Sequence, residues 1–239
     1  MASTDTRRRV LESALRLFLE DGYEQTTIAR IKDSSQVSNG ALFHHFPSKE
    51  AIADALYVEA IASFQDGLWA LLRSQPRSLR AAVHGTIAHQ LAWVEQHSEL
   101  ARFVYMRGHL DWESPANVAL ASLNRDLGAA FSDWMAPLVA DGEIRPASML
   151  VISAIVNGPA HAIARRWLAG QVQRLPSTFA DELADAACAA LRGTRVRARR
   201  AQPRANQRGR VTLELICDDG TVLAQGQATA ELVPLAASA

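Results

Sequence analysis

A short stretch near the N-terminus carries the side chains best suited to contact a nucleic acid. In its first segment, Ile28 and Ile31 are spaced to pack into a hydrophobic core. Val37 lies in the tight turn that follows, where an apolar side chain can hold two helices together. Gly40 and Ala41 are small, so the helix that carries them can approach DNA closely. Two short helices joined by a tight turn, the second entering the major groove, form a helix-turn-helix. The spacing therefore predicts a DNA-binding element.

The elements that must position these side chains are predicted to be helices throughout. Apolar residues recur at helical spacing along most of the chain, and Ser38 and Ser48 are placed to cap the third and fourth helices. Pro47 separates these two helices, because proline disfavours helical geometry in the residue before it. The predicted helices cover residues 5–20, 28–34, 38–45, 48–73, 77–96, 98–110, 115–136, 146–169 and 177–192. The fold class expected from this pattern is all-α.

The composition changes at residue 194. Residues 194–210 are rich in arginine and are typical of a flexible linker. Two alternating segments follow, Val211–Ile216 and Thr221–Leu232, with Asp219-Gly220 between them, which predicts a short β-hairpin tail. A two-stranded hairpin is marginal by itself, so it must pack on the helical body, pair with a partner or stay partly disordered.

These changes divide the chain into three expected parts. Residues 1–49 are expected to form a three-helix DNA-binding domain, residues 50–193 a larger helical domain, and residues 194–239 the linker and hairpin tail.

The composition excludes several functional classes. The formal net charge is zero, so any DNA binding must come from local placement of groups rather than from bulk basicity. Two widely separated cysteines, Cys188 and Cys217, form neither a disulfide framework nor a metal cluster, which favours a reduced, cytoplasmic protein. No secretory signal and no long uncharged apolar run are present, so no membrane association is expected.

The stretch from Thr6 to Leu56 carries a recognisable set of motifs. It contains Arg-Val-Leu-Glu-Ser-Ala-Leu-Arg-Leu-Phe, an Asp-Gly-Tyr turn, Thr-Thr, and then Val-Ser-Asn-Gly-Ala-Leu-Phe-His-His-Phe-Pro-Ser-Lys-Glu. In one ungapped run it resembles the DNA-binding domain of TetR/AcrR-family transcriptional regulators. It departs from that family at Lys32, where alanine is usual, at residues 34–36, where Ser-Ser-Gln replaces Ala-Ala-Gly, and at Phe43, where tyrosine is usual.

The resemblance implies a role for each matching residue of the DNA-binding element. Thr27 would offer its hydroxyl and backbone N–H to a phosphate, and Asn39 would read a base edge unless it serves only as a cap. Phe43 would contact a thymine methyl or a sugar, while His44 and Lys49 would face phosphates. The full set of expected DNA contacts is Thr27, Lys32, Ser38, Asn39, Gly40, Ala41, Phe43, His44 and Lys49.

The resemblance also implies that residues 50–193 bind a small molecule and form a homodimer. Aromatic side chains with a few polar groups are what such a site needs, although the same side chains can simply fill the core. The candidates are Trp69, His89, Trp93, Phe103, Met106, Arg107, Trp112, Trp134, Asn157 and His161. The dimer seam is predicted at the last two helices, 146–169 and 177–192. His84 and His89 lack one-face ligand spacing, so a metal site is not expected. No cofactor of another kind is expected either.

Together these features predict a repressor that leaves a palindromic double-stranded operator when a small, largely apolar effector binds. A ligand that prefers the non-binding state would change the separation of the two reading heads by a population shift.

Two alternatives rest on the tail. Residues 211–232 faintly resemble the closing strands of hot-dog thioesterases, which would suggest an enzyme or an acyl ligand, but no catalytic motif accompanies them. In the other alternative, the arginine-rich segment adds phosphate contacts to DNA binding rather than acting as a solvated linker.

Overall fold

The computed structural model describes residues 2–107, 115–192, 208–216 and 222–231. The chain separates into two compact units, residues 1–194 and 195–239. The first unit is helical over its described residues, which confirms the predicted fold class. Its helices are α1 (Ala2–Glu20), α2 (Ile28–Ser35), α3 (Asn39–His45), α4 (Lys49–Arg73), α5 (Leu79–Gln96), α6 (Ser98–Arg107), α7 (Pro115–Ala140), α8 (Met149–Leu168) and α9 (Ala180–Leu191).

Helix ends in the N-terminal part follow from capping side chains. The Ser38 hydroxyl accepts a hydrogen bond from the Ala41 N–H at 3.2 Å, and the Ser48 hydroxyl accepts one from the Ala51 N–H at 3.1 Å, as predicted. Each serine thereby satisfies one of the N–H groups that a helix start leaves without an intrahelical partner. Ser38 thus fixes the start of the short helix α3, and Ser48 fixes the start of α4.

Four predicted helix boundaries differ from the structure by three residues or more, or in helix type. Helix α1 begins at Ala2 rather than at residue 5, and α8 begins at Met149 rather than at residue 146. The helix predicted to end at residue 136 continues through Pro137 to Ala140. Proline removes one N–H, but the Pro137 carbonyl still accepts from the Asp141 N–H at 2.9 Å, so the last turn closes. The last predicted helix begins instead as a 3₁₀ turn, Pro176–Phe179, in which the Ser177 N–H donates to the Glu95 carboxylate at 2.6 Å.

The larger part of the first unit packs around α5. Apolar side chains of α5 meet those of α7, α8 and α9 in one buried cluster. Ile144 is fully buried between α7 and α8, and the Arg145 N–H donates to the Leu191 carbonyl at 3.0 Å, which fixes the α7–α8 connection to the end of α9. None of the helices in the described ranges combines the length and the hydropathy that a bilayer crossing requires.

The second unit contains two antiparallel strands, β1 (Arg208–Ile216) and β2 (Val222–Glu231), with Thr212 paired to Gln227. Strand β1 begins at Arg208, so part of the predicted linker is strand. The predicted Asp219-Gly220 turn lies outside the described residues and stays a prediction.

Candidate nucleic-acid interface and ligand cavity

Helix α3 is buried on one face and open on the other. Leu42 is buried, whereas Asn39, Gly40, Phe43 and His44 are exposed. Residues four positions apart on a helix lie above one another, so Asn39 with Phe43 and Gly40 with His44 form two neighbouring rows, which together make one exposed strip. Phe43 is 51% exposed, an unusual position for a large aromatic side chain. The strip therefore combines an amide, a backbone free of side chain and an apolar ring, the groups that read base edges and thymine methyls.

The other side of α3 is held by an apolar core shared with α1. Val10, Phe18, Ile31, Leu42 and Phe46 are all buried in this cluster. Because these side chains lock α3 against α1 and α4, the exposed strip is carried on a rigid support.

Two arginines of α1 hold the turn between α2 and α3, a role that the sequence analysis missed. The Arg9 guanidinium donates to the carbonyls of Ser35 at 2.5 Å and Gln36 at 3.2 Å, and the Arg16 guanidinium donates to the Ser34 hydroxyl at 2.6 Å. Their seven-residue spacing, which places them on one face of α1, was the available signal.

The turn itself uses Gln36 in a left-handed conformation, with φ 55°. This geometry costs a non-glycine residue about 1–2 kcal/mol. The hydrogen bonds that Arg9 donates to the Ser35 and Gln36 carbonyls offset part of that cost. They explain how the turn tolerates glutamine where glycine is usual in the family that the sequence resembles.

The predicted phosphate ligands already have partners in the protein. The Thr27 hydroxyl accepts from the Arg30 N–H at 3.2 Å, and the Lys32 ammonium lies 2.8 Å from the Asp33 carboxylate. The Lys49 ammonium donates to the Tyr23 carbonyl at 2.8 Å and lies 4.3 Å from the centre of the Tyr23 ring. A hydroxyl proton on Thr27 and further ammonium protons on both lysines stay available to an added anion.

A cavity of about 460 Å³ lies between α4, α5, α7 and α8. It is mainly apolar, with a small number of amide and hydroxyl groups, as small-molecule sites usually are. Its lining side chains include Phe64, Gln65, Leu68, Val83, Thr86, Asn124, Leu127, Phe131, Trp134, Met135, Ile152, Ser153, Val156 and Asn157.

Of the ligand contacts predicted from sequence, Trp134 and Asn157 line this cavity. Phe103 does not, because it is buried against α1 with its ring 5.8 Å from that of Phe18. Trp93 is also core, and its indole N–H points to the Ser63 hydroxyl at 3.4 Å.

Other predicted ligand contacts lie on different surfaces. The His89 Nε2–H donates to the Phe64 carbonyl at 2.7 Å, which turns the ring onto α4. Met106 is 63% exposed beside α8, and His161 pairs its Nδ1 with the Tyr105 hydroxyl at 2.6 Å. Trp69 is half-buried outside the cavity lining. The Arg107 side chain and the whole of Trp112 fall outside the described residues.

Two polar residues of the cavity wall, Gln65 and Asn124, were not predicted from the sequence. The Gln65 amide donates to the Asn124 side-chain carbonyl at 2.7 Å, joining α4 to α7. A glutamine within the apolar stripe of α4, between Ile61 and Leu68, was the available signal. Over the described ranges, no three side chains of the metal-ligating types come together as a metal site.

The sequence of the N-terminal part matches a known family. Residues 10–56 match the model described as bacterial regulatory proteins, tetR family. The chain is similar to the HTH-type transcriptional repressor AcnR of Corynebacterium glutamicum, with 44% identity over 59 residues, 25% of this chain and 31% of that protein.

Two other relatives match a longer segment. An HTH-type transcriptional repressor of Mycobacterium tuberculosis is 34% identical over 131 residues, 50% of this chain and 63% of that protein. The A-factor receptor protein of Streptomyces griseus is 27% identical over 139 residues, 54% of this chain and 48% of that protein. The chain thus spans less than two thirds of the length of each of these relatives.

Solved structures extend the similarity in fold to most of the chain. A TetR family transcription regulator from Marinobacter aquaeolei superposes with a TM-score of 0.66 at 17% identity, over 80% of this chain and 97% of that one. The transcriptional regulator FadR of Bacillus subtilis, solved in complex with stearoyl-CoA, gives a TM-score of 0.61 at 12% identity, over 77% of this chain and 98% of that one. At these identities the likeness concerns the fold alone.

Proposed function

We propose that the chain is a repressor of the tetR family of bacterial regulatory proteins that binds a palindromic operator as a homodimer, since its residues 10–56 match the model of that family. The observation that carries this proposal is the exposed strip of α3, with Asn39 and Phe43 free of the core. In this proposal residues 1–49 are the DNA-binding domain, residues 50–193 bind the effector and the partner subunit, and the protein acts in the cytoplasm, where its operator lies.

In this proposal some residues of the DNA-binding domain read the base sequence, and others position the protein on the DNA backbone. Asn39 reads a base edge and Phe43 contacts a thymine methyl, while Gly40 and Ala41 let the backbone approach the groove. Thr27, Lys32, His44 and Lys49 contact phosphates, and Lys32 and Lys49 exchange an internal partner for the DNA backbone on binding. Ser38 caps the reading helix.

The dimer is proposed to form through α8 and α9. Leu150 and Val151 of α8 are exposed, at 81% and 44%, as are Ala154, Gly158 and several alanines of α9. Apolar and small side chains on two adjacent helices permit close packing against the same helices of a second copy. Isologous pairing of this kind places two α3 helices in one two-fold arrangement, as a palindrome requires.

The effector is proposed to bind in the cavity between α4 and α8. A structural neighbour was solved with stearoyl-CoA and a relative is named an A-factor receptor, which supports a small-molecule effector in general terms. Helix α4 links the cavity to the reading head, because it carries both cavity residues and the head-core residue Ile52. A ligand that prefers one position of α4 would thereby change operator affinity.

The test is fluorescence anisotropy of the full chain with duplexes from around its own coding region, against a random duplex. We expect palindrome-dependent binding with two protomers per site. Asn39→Ala should weaken operator binding by roughly 5–150-fold while leaving random-duplex binding unchanged, because one base contact contributes about 1–3 kcal/mol of discrimination. Lys32→Ala should weaken both equally and reduce the salt slope by about one.

A matched control for the loss of the Phe43 ring is the loss of another apolar side chain with the same exposure. Phe43 and Leu175 are 51% and 52% exposed, and Leu175 lies after α8, far along the chain from α3. Phe43→Ala should weaken operator binding and Leu175→Ala should leave it unchanged. Equal, palindrome-independent binding by all four variants and the wild type would refute the proposal.

A further inference from the structure

The cavity between α4, α5, α7 and α8 has no charged side chain in its described lining. Its polar groups are neutral amides and hydroxyls, from Gln65, Thr86, Asn124, Ser153 and Asn157. A carboxylate or a phosphate placed there would lose its hydration without gaining a counter-ion. The cavity is therefore matched to an uncharged molecule.

Two of the amides leave a carbonyl oxygen without a partner. Gln65 is 4% exposed, its amide nitrogen donates to Asn124, and its buried Oε1 accepts no hydrogen bond. The Asn157 amide nitrogen donates to the Ser153 hydroxyl at 3.0 Å, and its buried Oδ1 likewise accepts none. Since buried carbonyls are almost always paired, these two open acceptors indicate donors that a ligand supplies.

A third buried amide, Gln90, lies beside Asn157 but outside the cavity lining. Gln90 is 2% exposed, its nitrogen points to the Asn157 backbone carbonyl at 3.5 Å, and its buried Oε1 also lacks a partner. One N–H of the Gln65 amide and one of the Asn157 amide are paired within the protein, so their open oxygens remain as acceptors at the cavity wall. The rest of the cavity surface is apolar and is formed in part by Leu127, Phe131 and Trp134.

We propose that the effector is a neutral amphiphile whose polar end carries two hydrogen-bond donors, hydroxyl or amide N–H, that pair with Gln65 Oε1 and Asn157 Oδ1. Its apolar remainder packs against Leu127, Phe131 and Trp134. This assignment rests on the proposed effector role of the cavity and adds the chemical class of the ligand. It excludes carboxylates and phosphate esters as effectors bound at this site.

The test uses three probes of matched chain length, titrated calorimetrically into the DNA-free full chain. The probes are 1,2-decanediol with two donors, 2-decanone with an acceptor only, and decanoate with a charge. We expect the diol to bind at least about tenfold more tightly than either of the others, since about 1.4 kcal/mol corresponds to a tenfold change in affinity and hydrogen bonds contribute on that scale. Tighter binding of the ketone or of decanoate, or no binding of the diol, overturns the proposal.

Matched variants locate the donors. Gln65→Met removes the acceptor at similar size and should weaken diol binding about tenfold without weakening the ketone, whereas Gln173→Met, at an exposed glutamine beyond α8, should match the wild type. Asn157→Leu provides the same comparison from α8 if Gln65→Met does not fold, as circular dichroism would report. Unchanged diol affinity in the folded variant overturns the assignment.

The experiments test the proposed ligand class and the proposed regulatory function independently. Diol binding that Gln65→Met weakens supports the ligand class even if the diol leaves DNA in place, because the titration contains no DNA. Absence of palindrome-dependent DNA binding, in contrast, refutes the regulator and leaves the titration result standing.

Discussion

The two halves of the helical unit treat their buried polar groups differently. In the head, formed by α1 to α3, the buried Thr26 hydroxyl donates to the Gly22 carbonyl at 2.9 Å and the buried Ser35 hydroxyl donates to the Lys32 carbonyl at 3.1 Å. In the body, formed by α4 to α9, Gln65 and Gln90 are buried with carbonyl oxygens unpaired. Asp21 Oδ2 in the head accepts no hydrogen bond but lies 3.0 Å from the Arg30 guanidinium. The head therefore pairs its buried oxygens within the protein, whereas the body leaves carbonyl oxygens open at a cost in stability.

Packing shows the same contrast. The head core closes around Phe18, which is 1% exposed, while the body keeps a cavity of about 460 Å³. Interiors are normally packed without spaces of that size, so the body has given up dispersion contacts that the head retains. Substitutions of the same chemistry should therefore cost more in the head.

The largest expected effect is the loss of a head-core aromatic. Phe18→Ala should reduce the free energy of unfolding by about 3–5 kcal/mol, because the residue is enclosed on all sides. Phe131→Ala, at the cavity wall, should cost less than about 3 kcal/mol, since one side of its ring already faces open space. Urea denaturation followed by circular dichroism measures both. Equal losses would show that the cavity does not lower the packing contribution of its wall.

A smaller effect comes from two helical glycines of the body. A Cβ at Gly67 would overlap the imidazole ring of His89, whereas a Cβ at Gly128 meets no atom within 4 Å. Gly67→Ala should therefore cost about 1–3 kcal/mol by overpacking, and Gly128→Ala should stabilise by up to about 1 kcal/mol through helix propensity.

The readout for this pair is the midpoint of thermal unfolding. Because the two substitutions are chemically identical and both lie in helices, the sign of the difference isolates the contact with His89. A stabilising Gly67→Ala would mean that the imidazole moves away without loss, and that the α4–α5 approach is looser than the structure indicates.

The same contrast explains what could be predicted from the sequence. Caps at Ser38 and Ser48 and the apolar face around Phe46 are local signals, so the helices of the head followed from residue types and spacing. The contact roles of the exposed strip, in contrast, were implied by the family resemblance. The cavity depends on which faces of four separate helices meet, and spacing along one helix does not contain that information. Aromatic content therefore pointed to Phe103 and Trp93, which fill core, and not to Gln65 or Asn124, which line the site.

The ten-residue helix α6 contacts both the core of the head and helix α8 of the body. Phe103 stacks on Phe18 in the head core, and Tyr105 meets His161 of α8 at 2.6 Å through its hydroxyl. Burial raises the pKa of Tyr105 to about 12, which keeps the hydroxyl proton in place. Loss of solvent around the ring, and then Arg165, lower the pKa of His161 below its ordinary value of 6.5.

The smallest expected effect is a dependence of body stability on pH. Since the folded state lowers the pKa of His161, the unfolded chain takes up a proton first, and stability falls as pH decreases through 6.5. Unfolding midpoints at pH 7.5, 6.5 and 5.5 should therefore decline less in His161→Gln than in the wild type, while His44→Gln, at an exposed imidazole of the head, should follow the wild type. Because the ring is partly exposed, a difference of only a few degrees is expected. If His161→Gln declines as steeply as the wild type, the acid sensitivity lies elsewhere and α6 does not join a rigid head to a titratable body.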